Sequence, residues 1–222
     1  MNLKQQAGEK AVTLVEDGMV VGLGTGSTAY FAIRKLGELA RQGMEIKGVC
    51  TSEQTSDLAS EYGIPMVDIE EAKCIDLTID GADEVDPGGQ GIKGGGGALL
   101  YEKIVASNSR QNIWVVEKRK MVQQLGAFPL PVEIIPFGHS NLIRMMEERN
   151  WNPVLRKNGS EIFITDGHHY IVDLHLDSIP DPHQLGSTIR QLPGVVEHGL
   201  FLDTVNKVVT AGPDKAEIIS FR

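Results

Sequence analysis

Cysteine is scarce in this chain of 222 residues. The two cysteines, Cys50 and Cys74, lie within or at the end of apolar runs, which favours buried free thiols over a disulfide or a metal pair. Neither a CxxC nor an HExxH motif occurs. The sequence therefore contains no motif that predicts a metal site.

Long hydrophobic runs and an excess of positive charge are also lacking. No apolar run approaches the ~20 residues that span a bilayer, and the first ten residues lack the apolar core of a signal peptide, so we expect a cytoplasmic protein with no membrane partner. Lys and Arg total 21 against 30 Asp and Glu, a net charge of −9. Nucleic acid is not an expected partner, because neutralising phosphates requires clustered positive charge. The net negative charge does not exclude a small phosphorylated ligand if local donors hold it.

The order of predicted elements indicates an α/β fold with two domains. Strand-like segments alternate with helical patterns before a proline-punctuated stretch at residues 128–137, which marks a change. The first part predicts a Rossmann-like, mostly parallel sheet, and the second a smaller α+β domain of the ferredoxin-like kind, with an antiparallel sheet and two helices. We predict a first domain at residues 1–127 plus 202–222 and a second at residues 128–201.

A glycine-rich turn connects the first predicted strand, residues 19–23, to a predicted helix at residues 29–39. The turn reads Gly24-Thr25-Gly26-Ser27-Thr28. A strand, a glycine-rich turn and a helix place backbone N–H groups and a helix N-terminus at a ligand. The hydroxyl groups of Thr25, Ser27 and Thr28 suit a compact phosphate.

Two other interpretations of this turn stay open. A dinucleotide site has the pattern GxGxxG, but here the third glycine comes one residue early, and the next predicted strand, residues 46–50, ends in Thr51-Ser52 and not in an acid that could bind a ribose. The glycines could also make a tight turn with no ligand. For Thr51 and Ser52 themselves, capping of the following helix is a sufficient explanation.

The richest stretch for chemistry is residues 80–103. It begins with Asp80-Gly81-Ala82-Asp83 after a predicted strand at residues 74–79, and it continues through Lys93 and four glycines, residues 94–97, to Glu102. Adjacent glycines are costly in chain entropy and suit places where the backbone approaches something closely or adopts positive φ. A lysine before them and a helix after them indicate a site for an anion or an oxyanion.

Glu102 lies in the predicted helix after these glycines. We expect Leu100 and Ile104 to be on the packed side, and at about 100° per residue Glu102 lies roughly 200° from Leu100, facing solvent or a cleft. A solvated glutamate is the simple alternative. A carboxylate close to a lysine and to backbone N–H groups can instead move a proton while the donors hold the oxyanion.

Several of these loops are predicted to meet at one edge of the sheet. Ligands of open α/β sheets bind outside the carboxyl ends of the strands, so the loops after Gly22, Cys50 and Ile79 are expected to converge. A charged cluster at residues 117–120 follows another predicted strand, residues 113–116. It is either a solvated turn or a source of a lysine at the same edge.

These residues closely resemble one family, the ribose-5-phosphate isomerases of the A type. The resemblance rests on motifs that occur in family order across nearly the whole chain: GTGST (24–28), TSEQT (51–55), DGADEVD (80–86), KGGGGALLYEK (93–103), PLPVEIIPF (129–137) and HGLF (198–201). DGADE together with KGGGGAL is highly specific, whereas GTGST alone is weak.

The resemblance implies an isomerase of the pentose phosphate pathway that interconverts ribose 5-phosphate and ribulose 5-phosphate. It implies no metal and no organic cofactor, and a homodimer or homotetramer. Glu102 matches the catalytic base, Lys93 the lysine beside the reacting oxygens, and Asp80 and Asp83 the acidic pair.

The resemblance also implies a set of substrate-binding residues: Thr25, Gly26, Ser27, Thr28, Asp80, Gly81, Ala82, Asp83, Lys93, Gly94, Gly95, Gly96 and Lys120. The family usually has a serine before the phosphate-binding lysine, whereas this chain has Arg119. Lys120 therefore binds the phosphate either alone or together with Arg119.

Two other classes of protein are alternatives to the isomerase. A regulator that senses sugar phosphates needs a DNA-binding helix pair, for which we expect residues 1–18 to leave no room, and a basic surface. A nucleotide-dependent oxidoreductase needs a different glycine spacing.

Overall fold

The computed structural model describes residues 2–212 and 215–222. Its helices are α1 (Leu3–Val12), α2 (Ala29–Arg41), α3 (Glu53–Glu61), α4 (Leu99–Ser107), α5 (His139–Glu147) and α6 (Pro182–Arg190), with a 3-10 helix at Lys118–Lys120. The strands are β1 (Val20–Leu23), β2 (Lys47–Cys50), β3 (Leu77–Gly81), β4 (Glu84–Val85), β5 (Gly91–Ile92), β6 (Asn112–Glu117), β7 (Leu130–Ile134), β8 (Pro153–Leu155), β9 (Lys157–Asn158), β10 (Glu161–Ile162), β11 (Tyr170–Leu174), β12 (Val195–His198), β13 (Leu200–Phe201), β14 (Lys207–Ala211) and β15 (Ala216–Ser220). Over the described ranges, no helix combines the length and the apolar character needed to span a bilayer.

The chain folds into two compact units. The first comprises Met1–Ala82, Tyr101–Met121 and Thr204–Arg222, and the second comprises Asp83–Leu100 and Val122–Asp203. These ranges differ from the predicted domains at residues 83–100, 122–127 and 202–203, all of which belong to the second unit. Residues 83–100 belong there because β4 and β5 pair with each other and β5 pairs with β13 of the second unit. The domain boundaries expected from the sequence therefore remain a prediction.

A six-stranded sheet forms the first unit, in the order β15-β14-β6-β3-β1-β2. Its neighbouring strands are parallel except β15, which is antiparallel to β14. Val21, Ile79 and Val115 are buried and pack in one cluster with Ala7 and Ala11 of α1. This confirms the predicted mostly parallel sheet, whose strands are almost continuously apolar because helices cover it.

The strand order creates a switch point between β1 and β3. From β1 the chain moves to β2 on one side, and then to β3 on the other side of β1. Leu23 pairs with Cys50 of β2 and with Ile79 of β3, so the loops that follow these strands leave from one edge. Open α/β sheets bind ligands at such a point.

The second unit contains the predicted ferredoxin-like arrangement. Its elements follow the order β7-α5-β8-β11-α6-β12, and the four-stranded sheet has the order β12-β7-β11-β8 with antiparallel pairs. Leu130, Val132 and Ile134 of the central strand β7 are fully buried in the core of this unit. The unit also contains the small sheet β13-β5-β4 and the hairpin β9-β10.

Two local predictions are wrong. The sequence predicts a short strand at residues 64–67, but Met66 makes only an isolated bridge with Gly48. Pro65 has no N–H to donate, and its carbonyl accepts from Gly48 N at 2.8 Å, so the ladder cannot extend. Cys50 and Cys74 are free thiols as expected, but they are half-buried and not buried. Burial raises the pKa of Cys50 to about 11.

Glu133 is a charged residue within β7 and is only 1% exposed. Its Oε1 accepts a hydrogen bond from Thr165 Oγ1 at 2.9 Å and lies 3.0 Å from His169 Nδ1. Burial raises the pKa of Glu133, and the hydrogen bonds with His169 and Thr165 oppose that effect. The charged form of Glu133 is therefore the form that the fold disfavours.

We predict that Glu133→Gln changes how stability depends on pH. The pKa of Glu133 in the folded protein lies above the ordinary value of 4.5. Between these two pKa values the folded protein binds more protons than the unfolded chain, so its stability falls as the pH rises through that range. The glutamine variant keeps an acceptor oxygen but does not titrate. The free energy of unfolding is measured with urea from below pH 4.5 to neutral pH. The unsubstituted protein should lose stability relative to Glu133→Gln as the pH rises, and Glu147→Gln, at an exposed position, is the control. A stability difference between the two proteins that stays constant with pH would contradict this prediction.

Candidate active site

Asp80 holds the glycine-rich turn of the first unit. It stands near the end of β3, is 2% exposed, and its Oδ1 accepts hydrogen bonds from Thr25 N at 3.1 Å and Gly81 N at 2.7 Å. Gly24 N donates to Ile79 O at 2.9 Å, and a Cβ on Gly24 would collide with Asp80. The structure thus brings Thr25 and Asp80, both predicted site residues, into direct contact.

Hydroxyl groups connect this turn to the loop after β2. Thr25 Oγ1 lies 2.8 Å from both Thr51 Oγ1 and Ser52 Oγ, and 3.1 Å from Thr55 Oγ1. Ser52 is the N-cap of α3 and accepts from Thr55 N at 3.1 Å. Capping, the alternative raised from the sequence, is therefore confirmed for Ser52.

The remainder of the turn leads into α2. Gly26 has φ 108°, and Gly26 and Ser27 are exposed, whereas Thr28, the N-cap of α2, is buried and makes no side-chain capping bond. A cavity of about 740 Å³ opens beside the turn and is lined in part by Gly24, Gly26 and Ser27. Exposed backbone at a helix N-terminus is suited to bind an anion.

Cations gather around Glu117 in the same unit. Lys4 Nζ donates to Ser27 Oγ at 2.9 Å and lies 3.9 Å from Glu117 Oε1, while Arg119 Nη2 lies 3.2 Å from that oxygen. The hydrogen bond from Arg119 lowers the pKa of Glu117, and the charges of Arg119, Lys4 and Lys120 add to this effect. The region thus carries positive charge next to the glycine-rich turn, in a chain whose net charge is negative.

Lys120 and Lys4 reach this region from distant parts of the sequence. Lys120 follows β6 in the 3-10 helix, and its Nζ donates to Ala82 O at 2.6 Å, so this predicted residue reaches the end of β3. Lys4 belongs to α1 and was missed. Its place in the helical pattern identifies only a helix, and no spacing rule connects it to Ser27.

Glu102 is buried, with 5% of its surface exposed, and the prediction that it points away from the packed side of α4 is wrong. Val105 is 2% exposed, whereas Ile104 is 41% exposed. Gly22 of β1 explains the difference, because a Cβ there would lie 2.9 Å from Val105 Cγ1. The missing side chain lets α4 approach β1 with the face that carries Glu102 and Val105.

The direction of α4 brings Glu102 towards the ligand-binding edge. Asn108, just after the helix, accepts from Ile75 N at 3.2 Å on the amino side of β3, and β6 then begins at Asn112, parallel to β3. The helix therefore runs opposite to the strands. Its first turn, with Glu102, lies towards the carboxyl ends of the strands.

In the second unit, Asp83 holds the run of glycines. Asp83 Oδ2 accepts a hydrogen bond from Gly95 N at 2.8 Å, and Asp83 N donates to Ile92 O at 2.8 Å. Gly94 has φ 101° and Gly97 has φ 88°, so the run has the positive φ values that glycine tolerates. Gly94 and Gly97 are buried, whereas Gly95 and Gly96 are exposed.

Lys93 is buried to 2% exposure immediately before the glycines. Its N–H donates to Gly199 O at 2.9 Å, and its Nζ lies 5.1 Å from the centroid of the buried Phe201 ring. A cation above an aromatic face is attracted by the ring quadrupole. Gly199 and Phe201 belong to the HGLF motif, so this motif positions Lys93, a role that the sequence did not reveal.

Glu84 has a structural role within the same acidic motif. Its two carboxylate oxygens accept hydrogen bonds from Gly126 N and Phe128 N, both at 2.7 Å, and the residue is 4% exposed. Glu84 therefore orders the chain that enters β7. Across residues 2–212 and 215–222, no group of three or more His, Cys, Asp or Glu could hold a metal ion.

Together these features define an α/β protein with an exposed glycine-rich turn at a helix N-terminus, buried carboxylates and a buried lysine. The family model of ribose 5-phosphate isomerase A (phosphoriboisomerase A) matches residues 47–215. The chain belongs to the ribose 5-phosphate isomerase A family, which confirms the resemblance seen in the sequence.

Curated relatives and solved structures are similar to this protein over nearly the full chain. Ribose-5-phosphate isomerase A of Enterococcus faecalis is 54% identical over 216 residues, which is 96% of each chain. The structure of ribose 5-phosphate isomerase A from Methanocaldococcus jannaschii is 38% identical, with a TM-score of 0.93 and 98% of each chain covered. A D-ribose-5-phosphate isomerase in complex with phospho-erythronic acid is 36% identical, with a TM-score of 0.95 over 99% of this chain and 100% of that one.

Proposed function

We propose that this chain is a ribose-5-phosphate isomerase that interconverts D-ribose 5-phosphate and D-ribulose 5-phosphate. Family membership, with a relative that covers 96% of the chain, supports the reaction. The observation that carries the assignment of residues is burial: Asp80, Lys93 and Glu102 are 2%, 2% and 5% exposed. Charged side chains are rarely this buried unless they are paired or functional.

The reaction moves one proton between neighbouring carbons. Glu102 accepts the proton from C2 of the open-chain aldose and returns it to C1, so its carboxylate is regenerated. As the C2–H bond breaks, negative charge develops on the oxygen at C1. Lys93 and the N–H groups of Gly94 and Gly96 stabilise this enediolate, because donors placed in advance act where charge develops. The N–H of Gly95, also expected as a donor from the sequence, donates to Asp83 instead.

Proton transfer between the two oxygens completes the reaction. The hydroxyl at C2 loses its proton as the ketone forms, and the oxygen at C1 gains one. Asp80 or Asp83 carries this transfer and assists the opening of the sugar ring. Aldose and ketose have the same oxidation level, so the reaction balances without a redox partner.

The phosphate group is bound in the first unit by the turn that precedes α2. Thr25, Gly26, Ser27 and Thr28 supply backbone N–H and hydroxyl donors. Lys120 supplies positive charge, and Lys4 joins it through its hydrogen bond to Ser27. Gly81 and Ala82 line the substrate-binding site next to Asp80.

We predict that Glu102→Gln lowers kcat by at least ~10²-fold, because loss of a positioned base typically costs ~10²–10⁴-fold. KM should stay within a few-fold, since the amide keeps the shape of the side chain. Formation of ribulose 5-phosphate from ribose 5-phosphate, with a chelator present, measures both constants. Exposed Glu71→Gln is the control. An unchanged kcat would remove Glu102 from the chemistry.

We predict that Lys120→Met raises KM for ribose 5-phosphate at least about tenfold, the effect of losing one charge-assisted hydrogen bond worth about 1.5–3 kcal/mol. Arg119→Met should change KM less than threefold, because the Arg119 side chain is 75% exposed and is already paired with Glu117. Steady-state kinetics of the two neighbouring variants give the comparison. Equal effects would show that Arg119 shares the phosphate.

We further propose that the chain works as a homodimer or homotetramer in the cytoplasm. Phe137, Ile164 and Val154 of the second unit are 91%, 58% and 54% exposed, and large apolar side chains in solvent are typical of contact surfaces. Light scattering should give two or four times the chain mass, and Phe137→Ser should lower that mass at limiting concentration. A monomer at every concentration would refute the assembly, and cell fractionation tests the location.

A further inference from the structure

Arg156 contacts the run of glycines through their carbonyl oxygens. It follows β8 in the second unit, and its Nη1 donates hydrogen bonds to the carbonyl oxygens of Gly94 at 2.9 Å and Gly95 at 3.3 Å. These are consecutive carbonyls, directly after Lys93 in the chain. No motif in the sequence singled out Arg156.

Asp173 and Phe163 hold the Arg156 side chain in place. Asp173 of β11 accepts two hydrogen bonds from the guanidinium, one of them from Nε at 2.9 Å, and the two side chains are only 15% and 18% exposed. The guanidinium carbon lies 5.8 Å from the centroid of the Phe163 ring. A Cβ on Gly97 would collide with that ring, so Phe163 also contacts the glycine run.

The strands fix this group of three residues. Asp173 pairs with Val154 of β8 in the antiparallel sheet, Arg156 N donates to Ile171 O at 2.8 Å, and Phe163 N donates to Arg156 O at 3.0 Å. Two-pronged pairing of arginine with a carboxylate is strong and restricts geometry. The guanidinium is therefore part of the rigid sheet, whereas glycines alone leave a chain free to reorient.

Planarity of the peptide bond connects the carbonyls to the donors. The C=O of one residue and the N–H of the next lie in one plane and point in opposite directions. A hydrogen bond on Gly94 O therefore orients Gly95 N–H, which donates to Asp83 Oδ2 at 2.8 Å, and one on Gly95 O orients Gly96 N–H. A cation on the carbonyl also polarises the N–H of the same peptide.

We propose that Arg156 is a positioning residue, held by Asp173, which orients the N–H of Gly95 towards Asp83 and orients and polarises the N–H of Gly96 for the enediolate. The inference rests on the proposed function, because it assigns the Gly96 N–H to a reacting oxygen. Arg156 itself touches the carbonyl side of the peptides and acts through them.

Kinetics of Arg156→Ala test the proposal. We expect kcat to fall at least tenfold, by analogy with the loss of an oxyanion donor, while KM for ribose 5-phosphate stays within a few-fold. Low concentrations of guanidinium ion should restore part of kcat. Affinity for phospho-erythronic acid, whose carboxylate carries negative charge in place of the enediolate, should fall in parallel with kcat. Arg190→Ala is the matched control, because Arg190 pairs with Glu197 in the same unit, with Nη2 3.0 Å from Oε2.

Amide hydrogen exchange provides a readout that does not depend on activity. Exchange at Gly95 and Gly96 should accelerate in Arg156→Ala and slow again when guanidinium is added. If the unsubstituted chain does not isomerise ribose 5-phosphate, the proposed function fails, and the exchange data still decide whether Arg156 orders the glycines. Unchanged kcat together with unchanged exchange would overturn the inference.

Two milder variants keep the test decisive if Arg156→Ala does not fold. Arg156→Lys keeps the charge but loses the planar fork, and Asp173→Asn loosens the guanidinium without removing it, so both should lower kcat more than they raise KM. A fall in the urea midpoint with kcat/KM unchanged at low temperature would mean that Arg156 only stabilises the unit, and would overturn the assignment.

Discussion

Hydrogen bonds from backbone N–H groups to carboxylates hold the loops of this protein. In the DGADEVD motif, Asp80 accepts from Thr25 N, Asp83 from Gly95 N and Glu84 from Gly126 N, while Asp86 Oδ1 accepts from Gly88 N and Gln90 N, both at 2.8 Å. Bonds to an ionised acceptor are roughly twice as strong as neutral ones. The motif therefore orders backbone throughout its length, in addition to the catalytic roles that we propose for Asp80 and Asp83.

This arrangement reconciles an acidic protein with an anionic substrate. The net charge of −9 is unfavourable for phosphate at long range, but screening limits such a field to about 10 Å in ordinary salt. In the binding mode that we propose, local donors therefore dominate: a helix N-terminus, Lys4 and Lys120 in the first unit, and peptide N–H groups beside Lys93 in the second.

The sequence predicted elements and edges better than faces and distant contacts. Buried strands followed by glycine or hydroxyl residues were enough to predict the parallel sheet and its convergent loops, because parallel pairing brings carboxyl ends together. The prediction of which face of α4 is buried was wrong, since that face packs where Gly22 of β1 lacks a side chain. Lys4 and Arg156 were missed because tertiary contacts alone define their roles: each lies far in sequence from the loop that it contacts.

The strand order also has a consequence for synthesis on the ribosome. β14 lies between β6 and β15 in the six-stranded sheet, and the segment from β7 to β12 is inserted between β6 and β14 in the chain. A nascent chain therefore exposes the pairing edge of β6 until the last segment has been translated, whereas the inserted four-stranded sheet is already complete. Because an unpaired strand edge can pair with wrong partners, that edge of β6 is open to mispairing during the interval between these two events.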